Sequence, residues 1–363
     1  MIIRLRYVLW AGLAAAILAF LVGWSGIVGI RASSGHWLIT DVVLHWAMQN
    51  SVRTDALDVT APPNLDDPAL VRRAAGHFET SCAFCHRSPA RQERALPRRM
   101  TPPPPLLTHA ARDWTPEQLF VIVQHGVKFS GMPAWISLDR ADEVWAMVAF
   151  LRQLPEMDAA TYEQLAFGEA LNGQGRPEDP VLDGCMRCHG SDGDSDGGAF
   201  PVLASQREDY LVRTLQAFSE GRRASGIMQY ATAGLSPEDL ARAAHHYAGQ
   251  PPPSPSKGQE SAEAVELGRA IATNGIPEEG VPACQFCHRT EPVRNPIFPL
   301  LEGQEKWYLA TQLRLWKDGV RGGTNYQEIM RQVARHLSDE EIDALAAFYS
   351  SEDRAPALTS AEP

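Results

Sequence analysis

"CAFCH" at residues 82–86, "CMRCH" at 185–189 and "CQFCH" at 284–288 decide the reading of this chain, because together they use all six of its cysteines. A single Cys-x-x-Cys-His is compatible with a redox dithiol, half of a zinc site or a c-type haem attachment site. Three copies narrow the choice. A zinc ribbon takes its cysteine pairs in twos, so three pairs leave one unmatched, and a thioredoxin-like dithiol has no need of the histidine. Haem uses every part of the motif: two thiols nearly one helical turn apart reach the two vinyl groups of one porphyrin, and the histidine lies against the iron. Cys82, Cys85, Cys185, Cys188, Cys284 and Cys287 are therefore the expected attachment points of three covalently bound c-type haems, with His86, His189 and His288 as iron ligands.

A second axial ligand is sought among the nine methionines. The Met thioether is a soft ligand that favours reduced iron and raises its potential. Met228 is the only Met between the second and third motifs, and Met330 the only one after the third. After the first motif stand Met100, Met132, Met147 and Met157. Met132 lies in "SGMPAW", where Gly and Pro make a non-helical loop able to aim a side chain, whereas Met147 in "VWAMVAFL" reads as core. Met132, Met228 and Met330 follow their histidines by 46, 39 and 42 residues, which suggests one design used three times.

Residues that are not ligands repeat as well. After each Met comes a leucine, a polar helix start and a closing aromatic: Leu138 to Phe150, Leu235 to Tyr247 and Leu337 to Tyr349, each pair 12 residues apart. Ser338 with Glu341 forms a capping-box pattern, and Ser236 with Asp239 a shorter version. Between motif and Met each unit has a Pro before apolar residues, at Pro105, Pro201 and Pro299. A carbonyl there is placed to hold the second nitrogen of the haem histidine and fix its tautomer.

With these residues in view, each unit resembles a class I cytochrome c domain. "FPVLASQREDYLVRTLQAFSEGRR" with Met228, and "FPLLEGQEKWYLATQLRLWKDGVRGG" with Met330, resemble the two halves of the periplasmic di-haem cytochrome c-four family over residues 160–350. The second unit departs from the pattern at Thr214, where the third has Gln312, and at Ala204-Ser205, where Ala-Gly is usual. The resemblance implies that the second and third units pack about a pseudo-twofold axis. The first unit, with "HGVKFSGMPAW", is more similar to single-haem domains attached to membrane dehydrogenases and oxidases.

The expected architecture is all-α: three tandem class I cytochrome c domains after an N-terminal transmembrane helix. The 363 residues divide into an anchor (1–31), an amphipathic or linking segment (32–64), domains at 65–156, 160–250 and 264–351, a Pro/Ser linker (251–263) and a disordered tail (352–363). Arg4 and Arg6 precede 24 uncharged residues from Tyr7 to Ile30, enough to span a ~30 Å hydrocarbon core as a helix at ~1.5 Å per residue. The alternative is a signal peptide cleaved after "RASSG". The positive flank puts the N-terminus in the cytoplasm and the haem units in the periplasm, at a bacterial inner membrane. "HWLITDVVLHWAMQ" is too short and polar to cross, and is expected on the membrane surface or against the first unit.

Charge is unevenly shared: +1 over the first 59 residues, +2 over 60–155 and −14 thereafter, within a net −11. Acidic and basic faces steer weak electron-transfer encounters, so the acidic pair is expected to face a basic partner, and the first unit, with "RQERALPRR", a more acidic membrane complex. "DGDSDG" at 192–197 resembles half a calcium loop, but Leu203 stands where an acid is needed. No substrate-binding dehydrogenase domain, nucleotide loop or molybdenum site is recognisable, and no nucleic-acid partner is expected. The function expected is a periplasmic, membrane-anchored tri-haem relay of single electrons between a membrane or periplasmic redox enzyme and a terminal oxidase or soluble carrier. The alternative is a haem enzyme, a peroxidase or sulfur-compound oxidoreductase, with one open haem site.

Overall fold

The computed structural model describes residues 5–91, 96–168, 179–194, 196–252, 260–289 and 295–354, all of them helical or irregular with no strand among them. Parts of "RQERALPRR", of "DGDSDG", of the Pro/Ser linker and of the C-terminal tail lie outside the described residues.

Helix α1 (Leu5–Trp24) is 20 residues long and exposed throughout, close to the length that spans a bilayer. It ends before the uncharged run does, because the chain turns at Gly26, whose φ of +68° is left-handed. Helix α2 (Leu38–Asp55) is divided: Val52 is buried and the helix packs on the helix at Pro116–His125, whereas Trp37, Leu38, Ile39, Val42, Val43 and Trp46 at its start are exposed.

The first unit contains α3 (Pro68–His77), a π-turn (Phe78–Cys82) running into α4 (Ala83–His86), then α5 (Leu107–Ala110), α6 (Pro116–His125) and α7 (Ala141–Gln153). Asp67 caps α3, with Pro68 in the first turn, where no amide hydrogen is needed. The core is made where α3 and α7 cross, around the buried Phe78, Val144, Met147 and Phe150. Met147 is thus a packing residue.

Helix α8 (Ala159–Phe167), which the repeat places at the head of the second unit, buries Tyr162 and Ala166 in this same core. The Tyr162 ring meets Phe78 and Phe150, and its hydroxyl donates to Glu79 Oε2 at 2.6 Å. The second unit continues with α9 (Pro180–His189), α10 (Glu208–Ser219), α11 (Gly226–Thr232) and α12 (Pro237–Ala248). Its own cluster of buried apolar side chains is small: Leu211, Ala244 and Tyr247.

The third unit comprises α13 (Ala262–Asn274), α14 (Gln285–His288), α15 (Lys306–Lys317), α16 (Gln327–Ala334) and α17 (Asp339–Ser351). Helices α13 and α17 cross so closely that a Cβ on Gly268 would lie 2.1 Å from the Ala344 carbonyl oxygen, so only Gly fits there. The capping boxes expected at Ser236–Asp239 and Ser338–Glu341 are both formed, at the starts of α12 and α17.

The second and third units join by a reciprocal clasp. Gln304 accepts from Val202 N at 2.7 Å and donates to Val202 O at 2.9 Å; Gln206 accepts from Leu300 N and donates to Leu300 O, both at 2.9 Å. This is the pseudo-twofold relation. Ser205 adopts φ +55° where its counterpart Gly303 has +65°, so the second unit keeps the turn despite lacking the usual Gly. The first unit leans on both others through Arg73, whose Nε donates to Ala199 O at 3.0 Å and whose guanidinium lies 3.3 Å from the centre of the Trp307 ring.

Candidate functional site

His86, His189 and His288 each end a helix and are each buried. The carbonyl oxygens of Pro105, Pro201 and Pro299 receive their Nδ1 hydrogens at 2.9, 3.4 and 2.9 Å. A carbonyl only accepts, so Nδ1 carries the proton and Nε2 keeps its lone pair for a metal. Burial depresses all three imidazoles, those of His189 and His288 to about 4, so they are neutral at ordinary pH.

All six cysteines are free of disulfides. Burial pushes the thiols of Cys82, Cys185, Cys188 and Cys284 up, the last three to about 11. Reactive dithiols and metal thiolates need the opposite shift. Among the described residues no three His, Cys, Asp or Glu side chains gather as a metal-ion site. Protonated, half-buried thiols beside a neutral histidine suit thioether attachment to a porphyrin. Cys188 Sγ also lies against α3 of the first unit, 3.0 Å from where a Cβ on Gly76 would stand.

Of the methionines, Met132 sits in a non-helical loop, Met228 on α11 and Met330 on α16, each half-buried. The repeat in spacing thus hides two different supports. The remaining histidines are otherwise engaged or exposed: His245 pairs with Glu208 at 3.1 Å, His246 meets Ser191 O at 2.8 Å, His45 meets Gln49 at 3.1 Å and His336 meets Arg335 at 3.1 Å, while His109 and His125 are exposed.

Two cations at the junction of the second and third units, Arg223 buried and Arg321 half-buried, complete the picture. Arg223 donates to Tyr308 OH at 3.0 Å and Gln312 Oε1 at 2.9 Å; Arg321 donates to Tyr210 OH at 3.2 Å. Among the described residues neither has a carboxylate at ion-pair distance. Burial pushes the Tyr210 phenol up, but the flanking Arg321 and Arg223 outweigh it and hold the phenol at about 7. A buried excess of positive charge calls for anions, and haem carries two propionates. The small core of the second unit likewise fits a porphyrin as its missing apolar body. These residues therefore fit haem. They were not singled out from the sequence, although a repeat does mark them: "GRR" ending at Arg223 and "GVR" ending at Arg321 share a left-handed Gly, at Gly221 and Gly319.

The chain is 34% identical over 185 residues to cytochrome c4 of Pseudomonas aeruginosa, a match covering 50% of this chain and 88% of that protein. The chain belongs to the cytochrome c4 family. Cytochrome c4 of Azotobacter vinelandii is 32% identical over 194 residues, covering 50% of this chain and 89% of that one. A protein of Stutzerimonas stutzeri named thiosulfate dehydrogenase electron acceptor is 31% identical over 209 residues, 57% of this chain and 94% of that one. Residues 69–151 match a different description, cytochrome C oxidase, cbb3-type, subunit III. This member of the cytochrome c4 family is thus an electron-transfer protein that carries covalent c-type haem, and its residues 69–151 are similar to the cbb3-type oxidase subunit III family.

Proposed function

We propose that this chain is a membrane-anchored, periplasmic tri-haem relay in which the pairs His86 and Met132, His189 and Met228, and His288 and Met330 hold three haem irons. The observation that carries this reading is the threefold recurrence of a buried Cys-x-x-Cys-His histidine whose Nδ1 is held by a proline carbonyl. Haem iron supplies one-electron chemistry; the chain supplies neutral histidines, thioether attachment and a low-dielectric setting. Helix α1 anchors the relay, and the exposed apolar start of α2 rests on the lipid surface.

The oxidase-subunit match of the first unit supports a membrane oxidase as one redox partner, and the similarity to a thiosulfate dehydrogenase electron acceptor supports a dehydrogenase or soluble cytochrome on the side of the acidic pair. Electron-transfer rates with a basic soluble cytochrome fall as salt rises if that pair docks by charge; rates indifferent to salt would remove that part. The central test is a pyridine haemochrome count on the membrane-extracted protein, followed by carbon monoxide titration of the dithionite-reduced form. Three haems per chain with none reactive support the relay. One reactive haem in three reverses one Met assignment and favours a haem enzyme.

A further inference from the structure

Helix α11, which carries Met228, is only seven residues long. So short a helix does not hold itself and takes its position from what packs on it. Its N-terminus is gripped by the first unit, in a junction that the cytochrome c4 pair by itself cannot form.

Glu143 on α7 is 5% exposed, and every polar contact described for it is with a donor: Ser225 Oγ at 2.5 Å, Gly226 N at 2.6 Å, Arg140 Nη1 at 2.9 Å and Trp135 Nε1 at 3.2 Å. Three of these partners, Gly226 N, Arg140 Nη1 and Trp135 Nε1, can only donate, which suits a carboxylate. Ser225, 2% exposed, uses the same hydroxyl to accept the backbone N–H of Met228 at 3.0 Å. The line from Glu143 through Ser225 to Met228 is continuous. Arg140 strengthens it, bridging Asp142 with two contacts of 2.8 Å and donating to Ala224 O at 2.8 Å. The Trp135 indole, three residues after Met132, presses on Gly226, where a Cβ would meet Nε1 at 2.2 Å. A second grip lies farther along α11, where Tyr230 OH donates to Thr80 O at 3.0 Å and its ring stands edge-on to His77.

Helix α16, which carries Met330, has no equivalent: Tyr326 precedes it without a side-chain cap, and no residue of the first unit is among its described polar contacts. The clasp that joins the two halves is symmetric, but this grip on the Met-bearing helix is made in the second unit alone among the described residues. The asymmetry therefore belongs to the first unit.

We propose that Glu143 is a positioning residue for Met228: acting through Ser225, the first unit fixes the helix that presents the distal ligand of the second haem and so sets ligation at that haem alone. This rests on the reading of Met228 as a ligand.

The test uses the full-length, haem-loaded, membrane-extracted protein, with two readouts: the sulfur-to-iron charge-transfer absorption of the ferric form and the fraction of reduced haem that binds carbon monoxide. M228A sets the scale by removing about a third of the absorption. E143Q is expected to lose much of that same third and to make one haem reactive, S225A to do so in smaller degree, and E143Q/M228A to lose no more than M228A alone. E143Q/M330A should instead show both losses. A haem count of three checks that E143Q has matured, and S225A decides the matter if it has not. If M228A loses its third while E143Q, or S225A in its stead, matches the parent protein, the positioning role is refuted and the ligand assignment stands. If M228A leaves the absorption intact, the ligand assignment fails and this proposal with it.

Discussion

The reciprocal clasp between the second and third units makes a local and quantitative prediction. In Q304A the Val202 amide loses its acceptor at 2.7 Å and the Val202 carbonyl its donor at 2.9 Å. Val202 is 3% exposed, so water cannot replace either contact without opening the interface. A buried backbone group left unsatisfied costs about 1–3 kcal/mol, and two of them about 2–6 kcal/mol. At about 1.4 kcal/mol per tenfold, hydrogen exchange at Val202 should accelerate between about 30-fold and about 20,000-fold. The Leu300 amide, still held by Gln206 at 2.9 Å, is the internal control and should change by less than about tenfold, a loss smaller than one buried bond. Q206A should give the mirror result, with Leu300 exposed and Val202 retained. Residue-resolved exchange on the haem-loaded protein reads both amides at once. If Val202 keeps its protection in Q304A, or if the two amides accelerate equally in both variants, the clasp is not two independent pairs and the argument fails. The consequence reaches the haem site, because Val202 follows Pro201, whose carbonyl holds His189.

Other outcomes follow from single contacts. Y162F removes the donor to the buried Glu79 carboxylate while preserving the ring, and should lower the stability of the first unit by about 1.5–3 kcal/mol in urea unfolding. S338A removes the Ser338 arm of a complete capping box and should cost about 1 kcal/mol, read in the third unit. Burial holds His77 at about 4 in the folded protein against 6.5 unfolded, so its neutral form is favoured by folding. Stability is then fully present above pH 6.5 and declines by up to about 3 kcal/mol as pH falls towards 4; unfolding midpoints of H77F should lose much of that pH dependence. A C185A/C188A variant should bind two haems per chain instead of three in the haemochrome assay.

The core of the second unit shows why the cofactor belongs to the fold as well as to the chemistry. Among the described residues only Leu211, Ala244 and Tyr247 form its cluster, with Phe200, Val202, Phe218 and Leu240 buried outside it, while the helix that should lead it, α8, has given Tyr162 and Ala166 to its neighbour. A unit whose buried apolar side chains form so small a cluster needs a staple, and a covalently attached porphyrin supplies one. The C185A/C188A variant should therefore also be the least stable of the three corresponding double variants.

Residue order alone determined the features that act over short stretches of chain. Cys-x-x-Cys-His chemistry, the capping boxes at Ser236 and Ser338, the uncharged run of α1 and the proline segments that meet His86, His189 and His288 depend on neighbours a few to twenty residues away, and each was legible before any fold was known. The second and third units could be matched because their spacings repeat. Contacts between units left no such mark. That α8 packs on Phe78 and Phe150, that Gln206 and Gln304 exchange bonds across a pseudo-twofold axis, that Arg223 and Arg321 gather charge at one junction and that Glu143 reaches Ser225 were decided by tertiary structure. The physical reason is separation: apart from Phe150 and Tyr162, these partners stand some 80 to 110 residues apart, and burial gives them their energy only once the units have closed on one another.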